Sequence, residues 1–413
     1  MTESTRWTAS ETATRLGVKP ETLYAYVSRG LLGRERTAEG SWFDPVEVER
    51  FAAGRRRSSD RPAIVLRDGR PSGGPLMTID TDVAVIEDDE LYYRGRPATE
   101  LARTTDFETV CRWLWTGEFD QEVRFRPLPG AVDVVRRVLA AMPAEASLTD
   151  RIRVMVPVVA ALDPLREVLD GDSVASRTGA LLAALAAGVC ADPTVPAGER
   201  IADRLCAALG GVDRRADRLR APLPDCVNAA LVLLVDHDLA VSTLAARAAA
   251  SARANPYAVV LSGLGALDSA LHGNASRAAY RMVAAVESGE DPRAVIGRTL
   301  AAGRIGVPGF GHRIYRAADP RAELIFGLLV DLDGAGPAVA AAAAITDLVS
   351  DHGAMFRNVD LALGTLARAA GMSEEAGEVI FSIARIGGWI SHALDEYQRP
   401  ALRLRPVGRY VGP

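Results

Sequence analysis

Lysine is almost absent from this sequence: Lys19 is the only one, and 47 of the 48 basic side chains are arginines. A codon bias toward G and C would explain that excess as well as function would, and is the favoured reading. Histidine is nearly as scarce, and His237, His272, His312, His352 and His392 are all there are. The four cysteines, Cys111, Cys190, Cys206 and Cys226, form no C-x-x-C pair. That spacing excludes a metal knuckle or a redox dithiol and predicts reduced, buried thiols. No run approaches the roughly 18 uninterrupted apolar residues of a membrane span, and the N-terminus carries no apolar signal segment. The sequence therefore predicts a cytosolic protein without a membrane partner. Neither G-x-G-x-x-G, a P-loop nor H-E-x-x-H occurs, which removes the commonest nucleotide and zinc readings.

The chain has 413 residues, 48% of them hydrophobic and 24% charged, with a net charge of −5. That is enough apolar sequence for two or three domains and too little net charge for a disordered chain. The acidity is uneven. Residues 1–61 carry 11 basic and 9 acidic side chains, a net +2, which leaves about −7 on the remainder.

The basic end reads as a small helical module over residues 1–58. Thr8-Ala-Ser-Glu11 has capping-box spacing and starts a helix through Leu16. Gly17-Val18-Lys19 turns the chain, and Pro20 opens a second helix through Arg29. Gly40-Ser-Trp-Phe43 reads as a wing before a third helix from Pro45 to Ala53. Residues 59–75, rich in Arg, Ser, Gly and Pro, read as a linker with one short strand at Ala63 to Leu66. Met77 to Tyr93 suggests two or three strands, and almost everything after Thr99 reads as helix. Without strand–helix alternation, the fold class is mostly α rather than a doubly wound sheet.

The module resembles the helix-turn-helix of MerR-like regulators, from Arg15-Leu-Gly-Val-Lys-Pro-Glu-Thr-Leu-Tyr24 through Gly30-Leu-Leu32. The resemblance implies DNA contacts from Tyr24, Arg29, Arg34 and Arg36. The alternative is an appendage that packs on its own chain or on a partner subunit.

Three histidines occupy unusual settings. His237 lies in Asp236-His-Asp238, read as the start of a helix carrying Ser242 and Thr243. His272 precedes Gly273, and His312 ends the loop Val307-Pro-Gly-Phe-Gly-His312. Imidazoles that donate to carbonyl oxygens need close backbone approach and a fixed tautomer, which such settings supply. His352 and His392 have no motif around them and read as ordinary surface or packing residues. Ser262, Asp268 and His272 invite comparison with a hydrolase triad, but no nucleophile elbow surrounds the serine.

From about Ile79 to Pro413 the residues resemble the citrate synthase family. The likeness rests on Leu91-Tyr-Tyr-Arg-Gly-Arg96, Asp236-His-Asp-Leu239, Leu271-His-Gly273, and Pro308-Gly-Phe-Gly-His312 with Asp319-Pro-Arg321. Asn358-Val-Asp360, Ala384-Arg385 and Arg405-Pro406 follow in order. The resemblance implies a large helical domain over 76–271 and 372–413 and a small helical domain over 272–371. It implies condensation of acetyl-CoA with oxaloacetate through an enol, with Asp360 as general base, His272 on the thioester oxygen and His312 on the ketone. His237, Arg321, Arg385 and Arg405 would bind oxaloacetate, since a dicarboxylate calls for forked guanidinium donors. Arg405 would reach into a neighbouring subunit's site in a homodimer, with Arg399 a rival for that place. Pro308, Gly309, Gly311 and Arg316 would hold CoA, and no metal or other cofactor is implied.

Several positions depart from the family pattern: Ala240, Asn274 to Ser276, Leu361 to Gly364, and Val407. They alter the surroundings of the implied acid, base and clamps, and put the substrate in more doubt than the reaction type. Synthesis of 2-methylcitrate from propionyl-CoA stays open, because one methylene is worth only about 1–3 kcal/mol in an apolar pocket. A metabolite sensor that controls DNA binding on the same fold also stays open.

Overall fold

A computed structural model describes residues 6–37, 40–58, 78–119, 122–189, 200–210, 222–269, 275–301, 306–351 and 355–412. The mostly α expectation holds: beyond two small three-stranded sheets, the described elements are helices. None of these helices is long and apolar enough to cross a membrane.

The N-terminal module forms as its local signals direct. Thr8 caps helix Ala9–Leu16 with the reciprocal Glu11 bond of a capping box, and Gly17 ends that helix at φ +63°. Pro20 opens helix Pro20–Ser28. Strand Gly40–Phe43 pairs with Glu35–Thr37 and with Trp7–Thr8, so the wing is the middle strand of a sheet. Helix Pro45–Ser58 runs past the expected Ala53 and packs on helix Pro292–Ala301 of the body. The contact is anchored by Asp44 on Arg293 and by buried Glu49, which pairs with Arg15 and accepts from Gly306 N–H at 3.2 Å. The strand expected at Ala63 to Leu66 lies outside the described residues.

In the body, the strands expected between Met77 and Tyr93 form a hairpin, Ala84–Glu87 with Glu90–Tyr93, to which Arg96–Pro97 adds a third strand. Helix Ala376–Tyr397 is the spine of the core. Nearly every residue is buried, and it packs on helices Gly171–Val189, Leu223–Leu234, Val241–Ser251 and Pro256–Leu267. Its few polar side chains, Arg385, His392 and Glu396 among them, are buried as well, because the helix is enclosed on all sides. The apolar stretch from Asp225 to Ala252 is broken at residues 235–240, where Asp238 adopts φ +56°. His237 therefore sits in an interhelical loop rather than at a helix start.

A second cluster forms around helix Val359–Ala369, packed on helices Ala275–Glu287, Pro320–Leu329 and Gly336–Asp351. Its crossing with Ala275–Glu287 explains Gly364, one of the departures from the family pattern. A Cβ there would lie 2.6 Å from Tyr280 N and 2.9 Å from Ser276 O, so only glycine lets the backbones meet. Gly364→Ala should therefore destabilise the protein by about 1–3 kcal/mol. Denaturant unfolding checks this, with a lowered midpoint as the expected outcome.

Candidate active site

The site is assembled from three stretches: the loop 235–240, the loop 307–317 and the N-terminus of helix Val359–Ala369. Helix Ala376–Tyr397 closes it from behind. Glycine makes the second loop possible. Gly309 (φ +83°) and Gly311 (φ +72°) take left-handed conformations, and a Cβ on Gly309 would lie 2.7 Å from Leu361 Cβ. The loop is stitched to the segment before Asp360. Gly311 N–H donates to Phe356 O, Asn358 N–H to Gly309 O, and Asn358 Nδ2 to Gly311 O, each at 2.8 Å. Asn358 also caps the helix through Asp360 N–H at 3.0 Å. At the far end, Asp89 of the hairpin accepts from Arg316 and Ala317 N–H, both at 2.8 Å.

His312 is held by its own loop. Ile314 and Tyr315 N–H donate to its Nδ1 at 3.1 and 3.2 Å, which leaves Nε2 to carry the ring proton. Burial, reinforced by the Arg321 cation, pushes its pKa down to about 4. At neutral pH it is thus a neutral donor with one defined tautomer. His237 stands beside it, with ring centroids 5.0 Å apart, and its Nε2 is 3.1 Å from the Tyr315 hydroxyl. Burial first, then Arg321, Arg385 and His312, hold His237 well below the ordinary histidine value.

Two of the three expected guanidinium clamps are buried. Arg321 is 3% exposed and forks onto Asp319, with Nε to Oδ1 and Nη2 to Oδ2 each at 2.9 Å. Asp319 Oδ2 also accepts from Val359 N–H at 2.9 Å, so this clamp is tied to the helix that carries Asp360. Arg385 is 1% exposed and donates from Nε to Leu234 O at 2.9 Å. Burial raises the Asp360 carboxyl to about 6, against the pull of Arg321.

Thus His237, His312, Arg321, Arg385 and Asp360 share one site. The rest divide differently. His272 and His352 lie outside the described residues. Pro308 and Gly309 are buried, whereas Arg316 is exposed. Arg405 is exposed on the C-terminal segment, whose Leu402 N–H donates to Ser251 O at 2.7 Å. Its rival Arg399 is tied to its own chain through Asp395 Oδ1 at 2.9 Å and Asp80 O at 3.0 Å. The hydrolase arrangement fails: Asp268 is paired with Arg153 at 2.6 Å, and the Ser262 hydroxyl donates to Ala258 O. Cys111, Cys206 and Cys226 are buried free thiols, and burial raises each pKa, Cys226 to about 12.

Three residues escaped the sequence reading. Tyr315 and Asp89 support the His312 loop, and neither carries a recognisable signal. His392, read as a surface or packing residue, is a packing one, fully buried, but it is also bonded to Asp236 at 3.1 Å.

The shifted Asp360 generates a stability prediction. A carboxyl whose folded pKa lies above its unfolded value favours the folded state only while protonated, so stability falls as pH rises from about 4 to 6. Asp360→Asn should be more stable than the wild type at pH 8, by on the order of 1–3 kcal/mol, with the gap closing near pH 4. Melting curves at the two pH values check it.

The chain is similar to known proteins. The profile described as citrate synthase, C-terminal domain, matches residues 75–407. The citrate synthase of Haloferax volcanii is 28% identical over 365 residues, covering 82% of this chain and 94% of that protein. A 2-methylcitrate synthase of Corynebacterium glutamicum is 25% identical over 349 residues, covering 79% and 90%. A solved citrate synthase from Thermoplasma acidophilum, in ternary complex with carboxymethyl coenzyme A and oxaloacetate, aligns with a TM-score of 0.65 at 22% identity, covering 82% of this chain and 94% of that one. That likeness shows the fold, and the profile match across most of the sequence shows that the chain belongs to the citrate synthase family.

Proposed function

We propose that the protein condenses acetyl-CoA with oxaloacetate and water to give citrate and CoA. The observation that carries this reading is the pairing of a neutral His312, protonated on Nε2, with two buried guanidiniums. A ketone flanked by two carboxylates is the substrate such a site suits: Arg321 and Arg385 meet the carboxylates, and His237 and His312 donate to the remaining oxygens.

Asp360 takes a proton from the thioester methyl. Its raised pKa makes it a stronger base than an ordinary carboxylate while leaving it ionised at neutral pH. The electron pair moves onto the thioester oxygen, where His272 is the expected hydrogen-bond donor. The enol carbon then attacks the ketone carbon, a carbon–carbon bond forms, and the ketone oxygen takes up a proton beside His312. Water cleaves the citryl thioester and releases CoA. Nothing in this sequence of steps calls for a metal or redox cofactor. Pro308, Gly309, Gly311 and Arg316 are assigned to CoA. The body divides into a large domain, 76–271 with 372–413, and a small domain, 272–371. Arg405 is assigned to the site of a second subunit in a homodimer, a place its exposure leaves open to it.

Resemblance to a 2-methylcitrate synthase keeps propionyl-CoA as the alternative donor. The N-terminal module is assigned to DNA. Tyr24 is exposed, Arg34 lies with Cζ 5.8 Å from the Tyr24 ring centroid, and Arg29 and Arg36 are exposed on the same module. Its seat on helix Pro292–Ala301 favours a further reading, in which the body's ligand state is passed to the module.

A thiol-release assay with acetyl-CoA or propionyl-CoA plus oxaloacetate is the direct test. Wild type should release CoA, and Asp360→Ala should be slower by about 10²–10⁴-fold. Silence from the wild type with both donors would sink the reading. The rate should also fall below pH about 6, following one protonation. For the module, DNA affinity should weaken steeply with salt and drop on Arg34→Ala, whereas salt-independent binding would remove DNA from the assignment.

A further inference from the structure

Among the site's neighbours, His392 has both ring nitrogens engaged. Its Nδ1 lies 2.8 Å from Arg247 Nη1, and a guanidinium has donors only, so Nδ1 accepts. The ring proton therefore sits on Nε2, which donates to Asp236 Oδ2 at 3.1 Å. Asp236 is fully buried, and its Oδ1 has no hydrogen-bond partner among the described residues, so His392 is what holds this carboxylate in place. The next residue is His237.

Arg385, Gly388 and His392 follow one another on one face of helix Ala376–Tyr397, at spacings of three and four residues. That face meets the 235–240 loop. Gly388 N–H donates to Val235 O at 3.1 Å, and a Cβ on Gly388 would lie 2.2 Å from Val235 O and 2.9 Å from Asp236 Oδ1. Behind His392, Arg247 donates from Nε to Glu396 Oε1 at 2.8 Å and from Nη2 to Asp395 Oδ2 at 2.6 Å. Buried Glu396 in turn receives Arg403 Nε on Oε2 at 2.9 Å. Arg403 is two residues from Arg405.

We propose that His392 is a positioning residue for the dicarboxylate half of the site. It fixes Asp236, and through Asp236 the His237 loop, and it joins that loop to the C-terminal segment by the chain Asp236–His392–Arg247–Glu396–Arg403. The inference rests on the condensation reading. Its physical basis is the cost of an unpartnered buried carboxylate. Without His392, Asp236 is free to turn toward the Arg385 guanidinium, which it already attracts across the site. A guanidinium drawn to Asp236 is lost to the substrate carboxylate.

Two variants of the full chain test this. His392→Leu should raise KM for oxaloacetate about tenfold while KM for the acyl-CoA changes by less than about twofold. His392→Gln, whose amide nitrogen replaces the Nε2 donor, should restore most of the loss. Equal effects on both KM values, or a Gln variant no better than Leu, would overturn the proposal. Should His392→Leu fail to fold, the wild type decides. With only five histidines, ¹⁵N-histidine spectra should show one ring, absent in His392→Gln, as the neutral Nε2–H tautomer at pH 7. An Nδ1–H or imidazolium pattern for that ring would refute it. A wild type that releases no thiol would defeat the condensation reading alone, and the tautomer would still decide whether His392 holds Asp236 as described.

Discussion

Two buried guanidiniums set the terms for everything around them. Arg321 and Arg385 are each almost inaccessible, and a buried cation is stable only where anions and hydrogen-bond acceptors meet it. Asp319 answers Arg321, while the Leu234 carbonyl and the more distant Asp236 answer Arg385. Burial holds His237 and His312 below the ordinary histidine value, and the cations add to it: Arg321 at both, Arg385 at His237. Asp360 responds in the opposite sense. Burial makes Asp360 harder to ionise, and Arg321 limits how far that goes. The five side chains are thus one electrostatic arrangement rather than five separate choices.

Its geometry is kept by backbone hydrogen bonds together with three side chains, Asn358, Asp319 and Asp89. Loop 307–311 hydrogen-bonds along its length to residues 356–358, and Asp319 adds a further tie at Val359. His312, Arg321 and Asp360 therefore belong to one rigid piece, whereas His237 and Arg385 belong to another, built on the central helix. The hairpin carboxylate of Asp89 bridges the two by capping the chain just after His312.

Much of this could be read from the sequence, and the failures are instructive. The mostly helical fold, the capped first helix and the grouping of His237, His312, Arg321, Arg385 and Asp360 were legible because short motifs carry them. Asp236-His-Asp238 marked the break at 235–240 but was read as a helix start, since nothing in the sequence shows that Asp238 takes a positive φ and delays the helix to Val241. His392 escaped for a different reason. Its partners are 145 and 156 residues away in sequence, and nothing local marks a histidine that will be enclosed by Arg247 and Asp236. Gly364 likewise looked like a loss of polar surroundings until the crossing helix behind it was visible.

The single lysine has its own chemical meaning. Lys19 occupies the N-cap position of helix Pro20–Ser28, exposed in the turn of the N-terminal module. The catalytic body is built with arginine throughout and presents no side-chain amine to an electrophile. Thioesters acylate amines, so a protein that handles activated acyl groups is spared self-modification of its body. The same feature makes Lys19 a unique side-chain handle for amine-directed labels, which attach to the module and leave the body's side chains as they are.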